Sequence, residues 1–276
     1  MRALGIVGPS HAETTALIER LAERLAEEGR VGTIRHLATA PDADADDVSG
    51  LRDSALAADT TYGLADDGEW VAAGNTTSLD DALAALTPDH DYALVEGFAD
   101  ADLPKIVLGS RDHAGEALIE APDADAVDIE AVVKALSATE PFETLESLVA
   151  RVKQSSRADR AGAIATFTGR VRAKDAPDDQ PTEYLEFEKY EGVADERMAA
   201  LEAELAGRDG VQEVELYHRT GVVERGEDIV YVVVLAGHRE EAFRTVQDGI
   251  NRLKEEVPLF KKEVTTEEEF WVHDRA

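Results

Sequence analysis

Near the C-terminus the stretch from Ala242 to Trp271, AFRTVQDGINRLKEEVPLFKKEVTTEEEFW, contains one hard constraint, Pro258. Proline has no amide hydrogen for a helix ladder and pushes the residue before it towards an extended backbone. Ahead of it Phe243, Val246, Ile250, Leu253 and Val257 recur at the three- and four-residue spacing of an amphipathic helix. The helix must therefore end at Pro258, and the chain must leave it in a new direction. The same spacing predicts Lys254 near the middle of the apolar face. A lysine there is unusual, because lysine is almost never fully buried without a partner. Lys261 and Lys262 follow the break, so three of the chain's eight lysines lie between 254 and 262. The competing reading is that Lys254 snorkels from a helix end and the lysine pair marks a solvated strand edge.

A chain of 276 residues has room for two domains, and a hydrophobic share of 43% supports real cores. Its 59 acidic residues outnumber 28 Lys and Arg, a net charge of −31. Such a carboxylate excess, dense in the loop 41–47, fits a protein of a high-salt cell, where screening weakens self-repulsion. It disfavours a duplex nucleic acid partner, which needs a cationic face. No run reaches the apolar length of a membrane span and no signal-peptide pattern opens the chain, so a cytoplasmic location is expected. There is no cysteine. That excludes disulfides, thiolate metal sites and cysteine nucleophiles, and any sulfur the protein handles must arrive on another molecule. Positive charge is uneven. Residues 1–140 hold 29 acids and 9 bases, residues 141–276 hold 30 acids and 19 bases. In an acid-coated chain, concentrated cations imply a target.

The first part alternates strands and helices. ALGIVG (3–8) is an apolar strand that runs into GPSHAETT (8–15) and an amphipathic helix carrying Leu17, Ile18, Leu21 and Leu25. Strand, glycine turn and helix with Thr-Thr is the setting of a phosphate-binding loop, with Gly8, Thr14 and Thr15 as nucleotide-binding candidates. The loop departs from the pattern. Glu13 stands where lysine belongs, the second glycine is missing, and a glutamate would repel phosphates. VGTIRHL (31–37), DYALVEG (91–97) and LPKIVLG (103–109) read as further strands, 60–74 as a hairpin about Asp-Asp-Gly, and 78–86 as a helix capped by Ser78 and Asp81. The expected fold is an open α/β sheet. GIVGPS…TT, then IRH, then LVEGFADADLPKI resembles the P-loop adaptor protein of molybdopterin-guanine dinucleotide biosynthesis over residues 1–110. That resemblance implies GTP binding, which the departures at Ala12 and Glu13 argue against; a purely structural domain is the alternative. Residues 111–140, rich in Ala and Asp with a short helix near 128–136, read as an acidic linker.

The part from 141 to 276 reads as α+β with a mainly antiparallel sheet: a helix at 144–154, strands at 161–172, 184–192 and 211–221, a turn and very apolar strand within 222–237, a helix at 194–206, and the final helix. Arg170 and Arg172 are two apart, hence on one face of an extended chain. His238 and Arg239 occupy the N-terminal end of the last helix, where added cations are unfavourable unless an anion binds. With Lys254 they read as a site for a small, multiply anionic substrate. The alternative is a surface network in which the arginines pair with Glu186 and Glu188.

GAIATFTGRVR, YLEFEKYEGVADERM, VELYHRTGVVERGE, GHREEAF and RLKEEVPLFKKE, followed by FW, resemble in order the catalytic large subunit of molybdopterin synthase over residues 142–274. Phe260 departs from the tryptophan more usual before the lysine. The resemblance implies an enzyme that takes sulfur from the C-terminal thiocarboxylate of a ubiquitin-like carrier subunit and inserts two sulfurs into cyclic pyranopterin monophosphate, with no cofactor of its own. It implies catalytic roles for Lys254 and Lys261 and substrate binding by Arg170, Val171, Arg172, His238, Arg239, Lys262 and Glu263. It also implies a homodimer with one carrier at each end, a heterotetramer. A second function class stays open: a nucleotide-binding adaptor whose second half only binds the carrier or cofactor.

Overall fold

The computed structural model describes residues 1–36, 59–74, 77–174, 176–190, 192–266 and 269–272, so the acidic loop 41–47 lies outside the described residues. The chain divides into two compact units, Met1–Phe142 and Glu143–Ala276.

In the first unit, β1 (Arg2–Val7), β2 (Val31–Arg35), β5 (Tyr92–Glu96), β6 (Lys105–Leu108) and β7 (Ala117–Ala121) form one sheet of order β2-β5-β1-β6-β7. All its pairings are parallel. A parallel sheet is covered on both faces, which is why its central strands are apolar throughout rather than alternating. Leu4, Ile6 and Leu94 pack on one face with α1 (His11–Leu25) and α3 (Ile129–Ser137). Ala3, Ala93 and Val95 pack on the other with α2 (Leu79–Leu86), whose start is the expected Ser78–Asp81 capping box. The hairpin is present as β3 (Thr60–Leu64) and β4 (Trp70–Gly74).

The linker reading of 111–140 is corrected. β7 closes one edge of the sheet, and Ala121, Ala124, Val127, Val132 and Leu136 are buried in the core beneath α1 and α3. The acids of this stretch lie between the apolar positions. Asp128 serves as the N-cap of α3, accepting from the amides of Glu130 and Ala131. Charge density therefore masked an ordinary amphipathic strand–helix pair.

The second unit begins with α4 (Leu145–Lys153), capped by Thr144, and a 3-10 turn at Ala158–Arg160. β8 (Ala163–Arg170), β10 (Val211–His218) and β12 (Asp228–Ala236) form an antiparallel sheet of order β10-β12-β8. β9 (Thr182–Lys189), β11 (Gly221–Glu224), β13 (Leu259–Thr265) and β14 (Glu269–Val272) form a second antiparallel sheet, β11-β9-β13-β14. β12 is covered on both sides. Val230, Val232, Val234 and Ala236 face α5 (Val193–Ala206) and α6 (Arg239–Glu256), while Tyr231, Val233 and Leu235 face α4. Each of these valines and Leu235 contributes about 1.5–3 kcal/mol on burial. Among the described residues no helix is long and apolar enough to cross a membrane.

Because each unit holds hydrophobic clusters of its own, a chain beginning at Glu143 is expected to fold by itself and unfold in one cooperative urea transition. Insolubility or a non-cooperative melt would show that the first unit is needed for the second to fold.

Candidate active site

α6 buries Ala242, Thr245, Val246, Gly249, Ile250 and Leu253 against the first of these antiparallel sheets. Lys254 is one residue beyond the centre of that stripe, turned about 100° away, and it is exposed rather than buried. Phe243 lies on the same side and is 66% exposed. The expectation of a lysine embedded in the apolar face is thus corrected to a lysine on its border. At Val257 the backbone becomes extended (φ −88°, ψ 121°), and Pro258 sends the chain into β13.

That reversal encloses a cavity of about 460 Å³ at the junction of the two sheets. β8 contributes Phe167, Thr168, Gly169 and Arg170, with Arg172 just beyond; α6 contributes Leu253 and Lys254; β13 contributes Lys261 and Glu263. Gly169 is required, since a Cβ there would lie 2.5 Å from Val230 Cγ1. Arg170 is held by Asp228 at 3.2 Å and by the Gly226 carbonyl, not by Glu186 or Glu188. Thr182 donates to Glu263. The structure therefore brings together Arg170, Arg172, Lys254, Lys261 and Glu263.

Four expected residues do not line this cavity. Lys262 alternates with Lys261 along the strand and so faces the other side of the sheet, where it pairs with Glu269 at 3.1 Å and Glu186 at 3.7 Å. Val171 is buried in a small cluster with Leu185, Phe187 and Val223. His238 is the N-cap of α6 and Arg239 its first residue, both exposed. Fifteen residues of helix separate Arg239 from Lys254, about 22 Å, so the expected convergence of His238 and Arg239 with the lysines does not occur within one chain.

A lining residue that the sequence reading passed over is His218. It lies two residues past the buried Leu216 on the same strand face, and that register is the signal that could have found it. Burial pushes its pKa down to about 4; the hydrogen bond with the Arg219 carbonyl pulls it back by less, and the positive charge of Lys254 adds the smallest downward push.

In the nucleotide-loop region of the first unit the threonine hydroxyls are engaged by Glu96. Glu96, at the end of β5, is 4% exposed. Its carboxylate accepts from the Thr14 hydroxyl and, at 3.4 Å, from Thr15, meets His11 Nδ1 at 2.7 Å, and pairs with Arg35 Nε at 3.0 Å. The Thr14 hydroxyl is committed inside the fold. Among the described residues no group of three or more His, Asp and Glu could hold a metal ion.

A relative from Haloferax volcanii named "Probable molybdopterin synthase" is 52% identical over 278 residues and spans 100% of both chains. The chain belongs to the molybdopterin synthase family. It is an enzyme of molybdenum cofactor biosynthesis. Residues 137–256 match the family model "MoaE protein", and residues 3–135 match "Molybdopterin guanine dinucleotide synthesis protein B". The molybdopterin synthase catalytic subunit of Pyrococcus abyssi is 35% identical over 128 residues, 46% of this chain and 82% of its own. The crystal structure of molybdopterin synthase from Staphylococcus aureus has 30% identity and a TM-score of 0.42, covering 49% of this chain and 93% of that one. The alignment with the Haloferax relative runs end to end, so both units are shared across it.

His218 gives a stability prediction. The groups sharing its cavity are Lys254 of α6, Lys261 and Glu263 of β13, Arg170 of β8 and Arg172. Its folded value of about 4 lies below the ordinary imidazole value of 6.5. Between these values the unfolded chain binds a proton that the folded chain refuses, so this residue's contribution is complete above 6.5 and is lost as pH falls through 4. His218→Gln is expected to lose less stability than wild type between pH 6.5 and 4 in urea titrations; identical losses would contradict the assigned neutrality.

Proposed function

We propose that this member of the molybdopterin synthase family transfers sulfur from the C-terminal thiocarboxylate of a small ubiquitin-like carrier to cyclic pyranopterin monophosphate, adding two sulfurs to give the dithiolene of molybdopterin. The observation that supports this reading is the meeting of Lys254 and Lys261, from a helix and a strand, with Arg170 and Arg172 in one cavity. The rest of the chain is coated with acid. Such a cavity is the size of a small-molecule site. In this reading the arginines hold the cyclic phosphate, since their planar forks match phosphate oxygens. The carrier's thiocarboxylate sulfur attacks a substrate carbon, displacing an oxygen substituent that leaves as water. A second water then cleaves the acyl–sulfur bond, leaving the sulfur on the substrate and a carboxylate on the carrier. A second loaded carrier delivers the second sulfur. One lysine assists proton transfer or holds the carrier's C-terminal end, and the other offsets charge developing on phosphate or carboxylate. Glu263, held by Thr182, supplies an acceptor to the substrate.

The assembly we propose is a cytoplasmic homodimer with one carrier per protomer. His238 and Arg239 could serve a cavity only from a second copy of the chain. Lys262, ion-paired on the opposite face, is left out of the substrate site. No metal or organic cofactor of the protein's own enters this reading. The first unit is proposed not to bind GTP: Glu13 repels phosphates, and Glu96 already holds the threonine hydroxyls that a nucleotide site would use. Calorimetry in high salt is expected to give no measurable heat of GTP binding; tight binding would overturn this part.

Lys254→Ala and Lys261→Ala are each expected to cut molybdopterin formation by orders of magnitude while the fold is unchanged. Lys254→Arg is expected not to rescue, because arginine stays protonated and has a different shape. If the lysines only snorkel, Lys254→Ala keeps wild-type turnover and shifts stability within about half a kcal/mol. Wild-type turnover in both alanine variants would return this half of the chain to a carrier-binding role without catalysis.

A further inference from the structure

The cavity holds a side chain to which the sulfur-transfer reading assigns no work. His218 stands at the end of β10, edge-on to the Phe187 ring with centroids 4.8 Å apart. Its Nδ1 lies 2.8 Å from the Arg219 carbonyl oxygen. A carbonyl only accepts, so Nδ1 must carry the proton, and in a neutral imidazole Nε2 then holds a lone pair. Nε2 is thereby the ring nitrogen left for the cavity. The neighbouring cationic groups of the lining, Lys254, Lys261, Arg170 and Arg172, are all donors. Lys254 is close enough to disfavour charge on the ring, and burial acts in the same direction. The imidazole therefore stays an acceptor across the physiological range.

We propose that His218 is a positioning residue for sulfur transfer, its Nε2 accepting a hydrogen bond from the Lys254 ammonium and holding that group over the cavity. This rests on the sulfur-transfer reading for its functional meaning; what the geometry supplies is that both residues line one cavity and that Nδ1 is engaged by the Arg219 carbonyl. The physical need is plain. Lys254 is an exposed residue in the last turn of α6, on a four-carbon stem with several rotatable bonds. A free ammonium of this kind samples many positions. A fixed acceptor beside it selects the one over the substrate, and the Arg219 carbonyl and the Phe187 ring fix that acceptor in turn. Protonation of the ring would convert Nε2 into a donor and set two cations against each other.

Two substitutions separate the parts of this arrangement. His218→Asn can keep a donor towards the Arg219 carbonyl but has no acceptor at the Nε2 position. His218→Gln can place its amide oxygen there. With carrier and precursor supplied to the full chain, His218→Asn is expected to lower kcat about tenfold or more, the worth of a hydrogen bond to a charged group, with KM for the precursor little changed. His218→Gln is expected to restore the larger part of that loss. Nitrogen NMR of wild type should report the Nδ1–H tautomer, with the ring unprotonated until about pH 4, and Lys254→Met should move that titration upwards. Equal losses in the two variants, wild-type kcat in His218→Asn, an Nε2–H tautomer, or a titration indifferent to Lys254→Met would each overturn the proposal. If wild type itself forms no molybdopterin, the sulfur-transfer reading fails instead, and the NMR results still decide the His218–Lys254 pairing.

Discussion

At Val257 the backbone turns from helical to extended, because Pro258 can neither donate to the ladder nor leave its predecessor in the α region. The cavity of the second unit depends on that turn. It fixes Lys254 within the last turn of α6 and lets β13 run back antiparallel to β9, with Lys261 opposite Phe187 and Glu263 opposite Leu185. Phe187, Leu185, Lys261 and Glu263 all line the cavity. The two lysines are close in sequence yet sit on elements of different geometry. Moving the break by one residue would rotate Lys254 about 100° around the helix axis, or flip the strand so that Lys262 faced inward in place of Lys261.

The cations of this unit include a surface lattice and a cavity cluster. On α5 and α6, Arg197 and Arg252 are tied to Glu204 and Glu256, and Arg208 to Asp248, a surface lattice of opposite charges. Such pairs are individually weak and are screened by salt, so they say little about function. In the cavity, Arg170 and Arg172 of the strand end share a confined space with two lysines and a histidine kept neutral. A surface that is acidic elsewhere tolerates this concentration when an anion is delivered to it, which is what the proposed phosphate-bearing substrate and carboxyl-terminal sulfur donor would do.

Much of this was legible in the sequence, for reasons that differ by element. The parallel sheet followed from apolar strands alternating with helices, and the Ser78 cap from its partner Asp81. Arg170, Arg172, Lys261 and Glu263, which the motifs single out, line one cavity. Lys254 was found but misplaced, because the apolar spacing included Phe243, which packs on nothing in the core; leaving it out shifts the stripe towards Leu253. His238 and Arg239 join the lysines in the sequence through the helix pole they occupy and the resemblance, and the length of α6 forbids that convergence within one chain. The stretch 111–140 was read by its acids, although Val132 and Leu136, at helical spacing, carry its packing. His218 needed the register of β10 carried two residues past Leu216, into a site where a polar ring replaces an aliphatic one.

The most direct measurement is reconstitution. The full chain is mixed with thiocarboxylated carrier and cyclic pyranopterin monophosphate, and product and carrier are followed by mass spectrometry. The account predicts molybdopterin carrying two added sulfurs and a carrier returned with an ordinary carboxylate. An unchanged precursor beside an intact thiocarboxylate, with carrier bound to a folded chain, would contradict it.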